Sequence, residues 1–184
     1  MRSLATQNFT FPVVIKKLQD KNKAIFIHGE RVANFTCLIS EEIGLSYEEI
    51  TIISYAAILH DIGKTQVPAK IVNKPGALDK KESAFMRKHP ELGCRLLKKA
   101  KLDPVVCRIV LEHHERVNGS GYPFGLQDKD IIYGAKIVAV ADVINTMISM
   151  QPYRPALSMN DALKEIKGNS GILYDSKIAK AVFR

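Results

Sequence analysis

The chain has 184 residues, 46% hydrophobic and 25% charged, which are ordinary proportions for a globular protein of about one domain. There is no apolar run of about 18 residues and no signal-peptide pattern, so we expect neither a membrane span nor a membrane partner. The net charge of +8 favours anionic partners. Because the lysines occur as scattered pairs, a solvated face explains them more simply than a nucleic-acid surface, and no nucleic acid is expected.

The three cysteines, Cys37, Cys94 and Cys107, lie within predicted helices and have no CxxC spacing. This usage is typical of buried thiols in a reducing compartment rather than of a disulfide framework. We therefore expect a cytoplasmic protein.

The N-terminal part predicts two helices. Residues 1–10 look loose, a short amphipathic helix is expected over 11–18, and 20–23 form a polar break. The next helix runs over about 24–43 and ends at Gly44, because glycine commonly closes helices. Its inward stripe recurs every three or four positions and contains Ile25, His28, Val32, Phe35 and Ile39. On its own, an inward histidine is more commonly a core residue than a ligand.

A long apolar helix leads into the sequence HDIGK at 60–64 and opens with a capping-box pattern at 46–49. A carboxylate at the end of an apolar run must find a partner or take up a proton, because burying it unpaired is costly. We expect His60 and Asp61 to bind a metal, with Lys64 beside it. A frayed helix end with a solvated aspartate and lysine is the alternative, and the other histidines decide between the two.

Two further junctions carry histidines. A helix over about 79–88 is followed by His89-Pro90, and proline in the first turn indicates a new helix over 90–99. Asp103-Pro104 opens another helix that leads to His113-His114. His89 can therefore point into a cleft, and the paired histidines lie near the buried edge.

The remainder predicts a glycine-rich loop over 115–130 around Tyr122, then a long apolar segment over 131–150. Its length without turn residues favours a buried helix, with Asp142 in the middle. Two short helices follow, at about 160–167 and 175–183. We expect one all-α domain spanning 1–184, with 1–23 as a short extension.

The five histidines and two aspartates form a candidate metal centre. Imidazole and carboxylate ligands suit iron, manganese, nickel, cobalt or zinc better than magnesium or calcium. Seven ligands exceed the need of one ion, so two ions about 3.5–4 Å apart are expected, bridged by Asp61. The proposed ligands are His28, His60, Asp61, His89, His113, His114 and Asp142.

A two-metal centre suits phosphoester hydrolysis, because it provides hydroxide near neutral pH and neutralises charge on the phosphate. Lys64 could donate to the phosphate or protonate the leaving alkoxide. The loop over 118–123 could hold phosphate oxygens with its backbone amides, with Tyr122 stacking on a base or bonding a phosphate. A plain turn is the alternative for this loop.

Taken in order, these motifs resemble those of the HD-GYP family, a branch of the HD metal-dependent phosphohydrolases. The resemblance covers about residues 24–184. It is carried by His28-x-x-Arg31-Val32, His60-Asp61-Ile62-Gly63-Lys64, Pro68, Lys74-Pro75-Gly76, Glu82, His89-Pro90, His113-His114-Glu115-Arg116, Gly119-Ser120-Gly121-Tyr122-Pro123, Ala141-Asp142 and Pro152-Tyr153-Arg154.

The resemblance implies an HD-domain helical bundle and a bacterial signalling phosphodiesterase that linearises cyclic di-GMP to pGpG, often onward to GMP. Family sites hold two or three ions, commonly iron or manganese. By position, the seven residues above would be the ligands, with Asp61 and Lys64 catalytic. Family members also contact diguanylate cyclase domains, which makes such signalling domains candidate partners. The substrate contacts carried over by position are Lys64, Gly121, Tyr122 and Arg154.

Three positions depart from the family pattern. Ala24 stands where some members have a glutamate that braces a third metal, which favours a binuclear centre. Gln151 replaces a usual arginine, so a bidentate phosphate donor is lost and binding or substrate choice would change. Asn118 in place of an aspartate looks minor. Two alternatives stay open: a phosphohydrolase for another cyclic dinucleotide or nucleotide, and a binding or interaction module with little turnover.

Overall fold

The computed structural model describes residues 4–150 and 155–183, with side chains described from residue 11 onward. Over these residues the chain is helical, with isolated β-bridges at Asn118–Gln127 and Ser170–Tyr174, so the predicted all-α class is confirmed. The α-helices are α1 (Leu4–Lys21), α2 (Lys23–Ile43), α3 (Tyr47–Leu59), α4 (Ala69–Val72), α5 (Lys80–Met86), α6 (His89–Lys99), α7 (Pro104–Glu112), α8 (Tyr133–Ile148), α9 (Met159–Gly168) and α10 (Ser176–Ala181), and the 3-10 helices are Ile62–Gln66 and Asp128–Asp130.

Helix ends coincide with local capping chemistry. Asn22 caps α2 by accepting a hydrogen bond from the Ile25 amide, and Gly44 ends it in the left-handed region at φ +83°. Ser46 and Glu49 form the reciprocal capping box that the sequence predicts for α3. Asp103 accepts from the amide of Val105 at the start of α7. The caps at Ser46 and Asp103 were therefore readable from the sequence, whereas Asn22 was read only as part of a polar break.

Two glycines bring backbones together around the core. A Cβ on Gly29 of α2 would collide with the carbonyl oxygen of Ile58 in α3. Similarly, a Cβ on Gly63 of the 3-10 helix would collide with the carbonyl oxygen of His89 in α6. Because Gly29 follows His28 and Ile58 precedes His60 by two residues, the first contact places these two histidines side by side.

The N-terminal helix is longer than expected. The prediction that residues 1–10 are loose is wrong from Leu4 onward, because α1 begins there and continues through Pro12. One face of α1 anchors it: Phe11, Val14 and Leu18 are buried, and Phe11 stacks on Tyr55 of α3 with ring centroids 4.2 Å apart. This tertiary contact outweighs the proline, which removes one backbone donor.

Other differences are small. The connecting segment after Lys64 contains α4, which the Pro68 and Lys74-Pro75-Gly76 signals did not reveal. The predicted helix 131–150 is shorter, because Ile132 and Ser149 have extended backbone angles at its two ends. Cys94 and Cys107 are buried free thiols, as expected, and Cys37 is a half-buried one. None of the helices formed by the described residues has both the length and the apolar character that crossing a bilayer requires.

Candidate metal centre and active site

The structure brings together all seven side chains that the sequence singles out as ligands. They come from five elements of the bundle: the second turn of α2, the end of α3, the start of α6, the end of α7 and the middle of α8. Four of them, His60, Asp61, His89 and His113, are buried, and His28, His114 and Asp142 are half-buried. The cluster therefore lies inside the bundle and is partly open to solvent.

The donor atoms fall into two groups, and within each group all donor atoms lie within 4.8 Å of one another. One group is Asp61, His89, His113 and His114, and the other is His28, His60 and Asp142. Asp61 faces both groups. Its Oδ1 lies 3.2 Å from Nε2 of His89, and its Oδ2 lies 3.4 Å from Nε2 of His60. One carboxylate thus joins the two halves of the cluster.

Three of the imidazoles are oriented by nearby backbone carbonyls. Nδ1 of His60 lies 2.7 Å from the carbonyl oxygen of Ala57, and His113 and His89 make the same contact with the carbonyl three residues earlier, at 2.7 Å and 2.8 Å. A carbonyl can only accept, so Nδ1 of each ring carries the proton and Nε2 presents a lone pair. This arrangement is typical of histidines that bind metal.

Several inward-facing atoms lack a donor. Nε2 of His60 and Oδ1 of Asp61 are buried without a hydrogen-bond partner among the described residues. Nε2 of His89 lies 3.3 Å from Nε2 of His113, and both rings donate elsewhere through Nδ1. Converging buried acceptors are costly unless something positive satisfies them. The residues therefore fit a divalent metal with nitrogen and oxygen ligands.

The electrostatics prepare the cluster for a cation. Burial lowers the pKa of His89 to about 4, and burial together with the neighbouring imidazoles lowers those of His113 and His114 well below the usual range. Burial alone would raise the pKa values of Asp61 and Asp142, but Lys64 and His60 outweigh it at Asp61, and His28 and His60 outweigh it at Asp142, so both values fall. Neutral imidazoles and ionised carboxylates are the states that metal ligands need.

The environment of His60 differs from that of the other buried rings. Burial alone would lower its pKa, but the carboxylates of Asp61 and Asp142 outweigh burial and raise the pKa instead. His60 is thus the buried imidazole on which the two carboxylates act most strongly.

Lys64 lies at the edge of the cluster. Its ammonium is 2.6 Å from Oδ2 of Asp61, and its side chain is 27% exposed. The short 3-10 helix that begins after Asp61 directs it there. A mobile cation at this point can reach both the buried carboxylate and a ligand that arrives from solvent.

The loop after α7 packs against the cluster at His114. The ring of Tyr122 stacks on that of His114 with centroids 4.6 Å apart, and the guanidinium of Arg87 lies 5.1 Å from the centroid of Tyr122. A Cβ on Gly121 would collide with the backbone of His114 and Glu115, so only glycine allows this packing. Asn118 shapes the loop by accepting from the amide and hydroxyl of Ser120.

Sequence reasoning missed the residue that holds this loop. Glu115 is 3% exposed, and its carboxylate accepts hydrogen bonds from the amides of Phe124 and Leu126 at 2.7 Å and 3.0 Å. In the sequence it is only one charged residue after two histidines. No local pattern reveals that a buried carboxylate satisfies backbone amides nine and eleven positions later.

Two of the singled-out positions lie outside the described residues: Arg154, expected to contact substrate, and Gln151, which replaces the usual arginine. Ala24 is exposed on α2, one turn before His28, and has no ligand atom to offer.

Comparison with known proteins agrees with this geometry. A family model described as HD domain matches residues 12–178. The cyclic di-GMP phosphodiesterase response regulator RpfG of Xanthomonas campestris is 41% identical over 157 residues, which are 84% of this chain and 42% of that protein. A 3'3'-cGAMP-specific phosphodiesterase of Vibrio cholerae is 34% identical over 143 residues, 78% of this chain and 33% of that protein. The chain thus spans less than half the length of these relatives.

A solved structure gives the same fold. The HDG"Y"P protein of Bdellovibrio bacteriovorus superposes with a TM-score of 0.72 at 23% identity, over 89% of this chain and 52% of that one. At this identity the likeness concerns the fold alone. Since the family model spans nearly the whole chain, the chain belongs to the HD domain family, and its motifs place it in the HD-GYP branch that they predicted.

Proposed function

We propose that this chain is a metal-dependent phosphodiesterase that hydrolyses cyclic di-GMP to pGpG, to GMP or to both. The observation that carries the proposal is the buried cluster of seven nitrogen and oxygen donors, in which His60 and Asp61 have unsatisfied atoms. The 41% identity to RpfG supports cyclic di-GMP as substrate. Diguanylate cyclase domains and other signalling domains are the macromolecular partners that we propose on the same grounds.

We propose two ions, iron or manganese, with nickel, cobalt and zinc also compatible with the donor set. The division into a group of four and a group of three donors supports two ions, and Asp61 faces both groups. Ala24 supplies no ligand for a third ion.

The roles of the protein's own groups follow from their positions. When bound, the ions would supply a hydroxide near neutral pH and neutralise charge on the phosphate. Lys64 would turn from Asp61 toward the substrate and donate a proton or hydrogen bond to a phosphate or leaving oxygen. Tyr122, whose ring lies against His114, would stack on a base. Gly121 would place that loop, and Arg154 would contact the nucleotide.

A second substrate is favoured by a specific observation. The Vibrio cholerae relative is named for 3'3'-cGAMP. In this chain Gln151 stands before Pro152 where the family usually has arginine, so a cationic group is absent from that position. A hybrid cyclic dinucleotide is therefore the alternative substrate for the same residues.

The test is turnover measured together with metal content on one anaerobic preparation. Protein loaded with Fe²⁺ or Mn²⁺ is incubated with cyclic di-GMP, 3'3'-cGAMP or cyclic di-AMP, and products are separated by chromatography. We expect pGpG or GMP from cyclic di-GMP at the highest rate. Faster cleavage of 3'3'-cGAMP would support the alternative. Binding of cyclic di-GMP without product, with iron, manganese and nickel, would identify a binding module instead.

Metal analysis tests the number of ions separately. We expect two equivalents per chain in the wild type and a loss of at least one in Asp61→Asn, because the amide removes the charge that faces both groups. Three equivalents in the wild type would contradict the binuclear proposal. Asp20→Asn, an exposed aspartate on α1, is the matched control.

A further inference from the structure

His28 differs from the other oriented imidazoles in the group that contacts its Nδ1. The amide nitrogen of Asn145 lies 2.8 Å from this atom, across 117 positions of sequence. Asn145 is 2% exposed and lies on α8 one turn after Asp142. His60, His89 and His113 instead use the backbone carbonyl three residues earlier in the chain. At His28, a side chain from a helix far away in sequence takes the place that a backbone carbonyl has at the other rings.

The contact with Asn145 determines which ring nitrogen of His28 carries the proton. An amide nitrogen donates, so Nδ1 accepts from Asn145 and the ring proton lies on Nε2. Nε2 is 3.1 Å from Oδ1 of Asp142 and 3.6 Å from Oδ2 of Asp61, so its N–H donates to the first carboxylate. In this arrangement His28 is a hydrogen-bond donor to a ligand, and its Nε2 has no lone pair for a metal.

Rotating the amide of Asn145 by half a turn reverses the arrangement. The carbonyl oxygen then faces Nδ1 and accepts its proton, since amide oxygen and nitrogen occupy nearly the same space. One proton leaves Nε2 and one is gained by Nδ1 through solvent, with no change in net charge. Nε2 of His28 then presents its lone pair between Asp61 and Asp142. The 24% exposure of the His28 side chain leaves a route for this exchange.

We infer that Asn145 is a positioning residue that selects the tautomer of His28 and so makes the second metal position weaker and conditional. The inference rests on the proposed metal centre and adds an order of filling to it. The group with Asp61, His89, His113 and His114 takes the first ion, because its oriented rings already present lone pairs. The group with His28 fills second, since the Asn145 amide must first rotate and the bond to Asp142 must break.

Two variants separate the orientations. Asn145→Asp offers Nδ1 only acceptors, so His28 is held in the metal-binding tautomer. Asn145→Leu has a similar volume and no hydrogen bond, so the ring loses its orientation. Mutating the hydrogen-bond partner of a metal-binding histidine typically changes metal affinity about 10–100-fold. We expect the second equivalent of Mn²⁺ to bind roughly tenfold tighter or more in Asn145→Asp and roughly tenfold weaker or more in Asn145→Leu. The first equivalent should stay unchanged in both.

The measurement is a calorimetric Mn²⁺ titration of the full chain at about pH 8, where histidine is ordinarily neutral. Long-range ¹H–¹⁵N spectra of the metal-free protein report the tautomers directly. We expect the His28 proton on Nε2 in the wild type and on Nδ1 in Asn145→Asp. Asn73→Asp, at the exposed end of α4, is the control and should leave the titration unchanged.

Either of two results overturns the inference: a metal-free wild type with the His28 proton on Nδ1, or a second Mn²⁺ affinity that is the same in the wild type and Asn145→Asp. If Asn145→Leu does not fold, the wild type and Asn145→Asp still decide. A wild type that binds no Mn²⁺ overturns the metal centre and the inference together. Mn²⁺ binding in the expected order without turnover of any cyclic dinucleotide overturns only the proposed activity.

Discussion

Asp61 and Lys64 form an ion pair in which the carboxylate and the ammonium lie in different environments. The carboxylate is buried and is needed by both halves of the donor cluster, whereas the ammonium lies partly in solvent 2.6 Å away. A lysine beside a metal site opposes cation binding by like-charge repulsion. Its presence there is therefore better explained by the proposed anionic substrate than by the proposed metal.

Lys64→Met tests this explanation, since methionine keeps the aliphatic length and removes the charge. We expect kcat on cyclic di-GMP to fall roughly 100-fold, in the range of general acid contributions. Metal content should be unchanged or higher, because the repulsion is removed.

The readouts for Lys64→Met are initial rates together with metal analysis. Lys70→Met, on the exposed face of α4, is the control and should behave as the wild type. Loss of metal in Lys64→Met with a proportional loss of activity would show a structural role and contradict the explanation.

At the scale of elements, the loop between α7 and α8 depends on one buried carboxylate. Glu115 holds the amides of Phe124 and Leu126, and this keeps Tyr122 stacked on His114. Hydrogen bonds to a charged acceptor are worth about 1.5–3 kcal/mol each. The loop is thus fixed to the end of α7 at the point where a substrate base would lie.

Glu115→Gln keeps the size of the side chain but removes the charge and places a donor beside one of the two amides. We expect a loss of about 2–4 kcal/mol in the free energy of unfolding and a several-fold rise in KM, with metal content retained. Urea denaturation and steady-state kinetics measure the two effects. Glu91→Gln, on the exposed face of α6, should change neither. An unchanged KM in Glu115→Gln would mean that the loop does not bind substrate.

The contact between α2 and α3 offers a second test at this scale. Gly29→Ala places a methyl group against the carbonyl of Ile58, so the helices must separate. We expect a loss of about 1–3 kcal/mol, the usual cost of overpacking, and weaker binding of the second metal because His28 and His60 move apart.

Thermal denaturation and a Mn²⁺ titration check this prediction. Gly168→Ala is the matched control: no atom lies within 4 Å of the added methyl group and α9 ends there, so we expect no loss of stability. Equal stability of the Gly29 and Gly168 variants would contradict the argument.

For the whole molecule, metal binding should contribute to folding stability, because the donors converge only in the folded chain. A ligand at 100 times its Kd stabilises by about 2.7 kcal/mol, which is a rise in Tm of roughly 5–10 °C for a chain of this length. Removing metal with a chelator should lower Tm by this amount, and adding Mn²⁺ back should restore it. His113→Ala should show a much smaller shift. A Tm that is insensitive to metal in the wild type would contradict the folded donor cluster as a metal site.

The sequence predicted local features well and distant ones poorly. Capping residues such as Ser46 and Asp103 act within one turn, so the starts of their helices followed directly. The candidate ligands were readable because histidine and aspartate are unusual at the ends and in the middle of apolar helices. The contact of Asn145 with His28 and the loop anchor at Glu115 were not readable, since each depends on how separate elements pack. The start of α1 was missed for the same reason.

The glycine contacts at Gly29 and Gly63 have a consequence for how such a chain can diverge. They set the separation of neighbouring backbones by direct van der Waals contact, independently of side-chain volume. Apolar residues elsewhere in the interior can then be exchanged, and the thermal stability can drift with them, while the spacing between His28 and His60 stays constant. Descendants of this chain can therefore adapt to new temperatures without rebuilding their donor cluster.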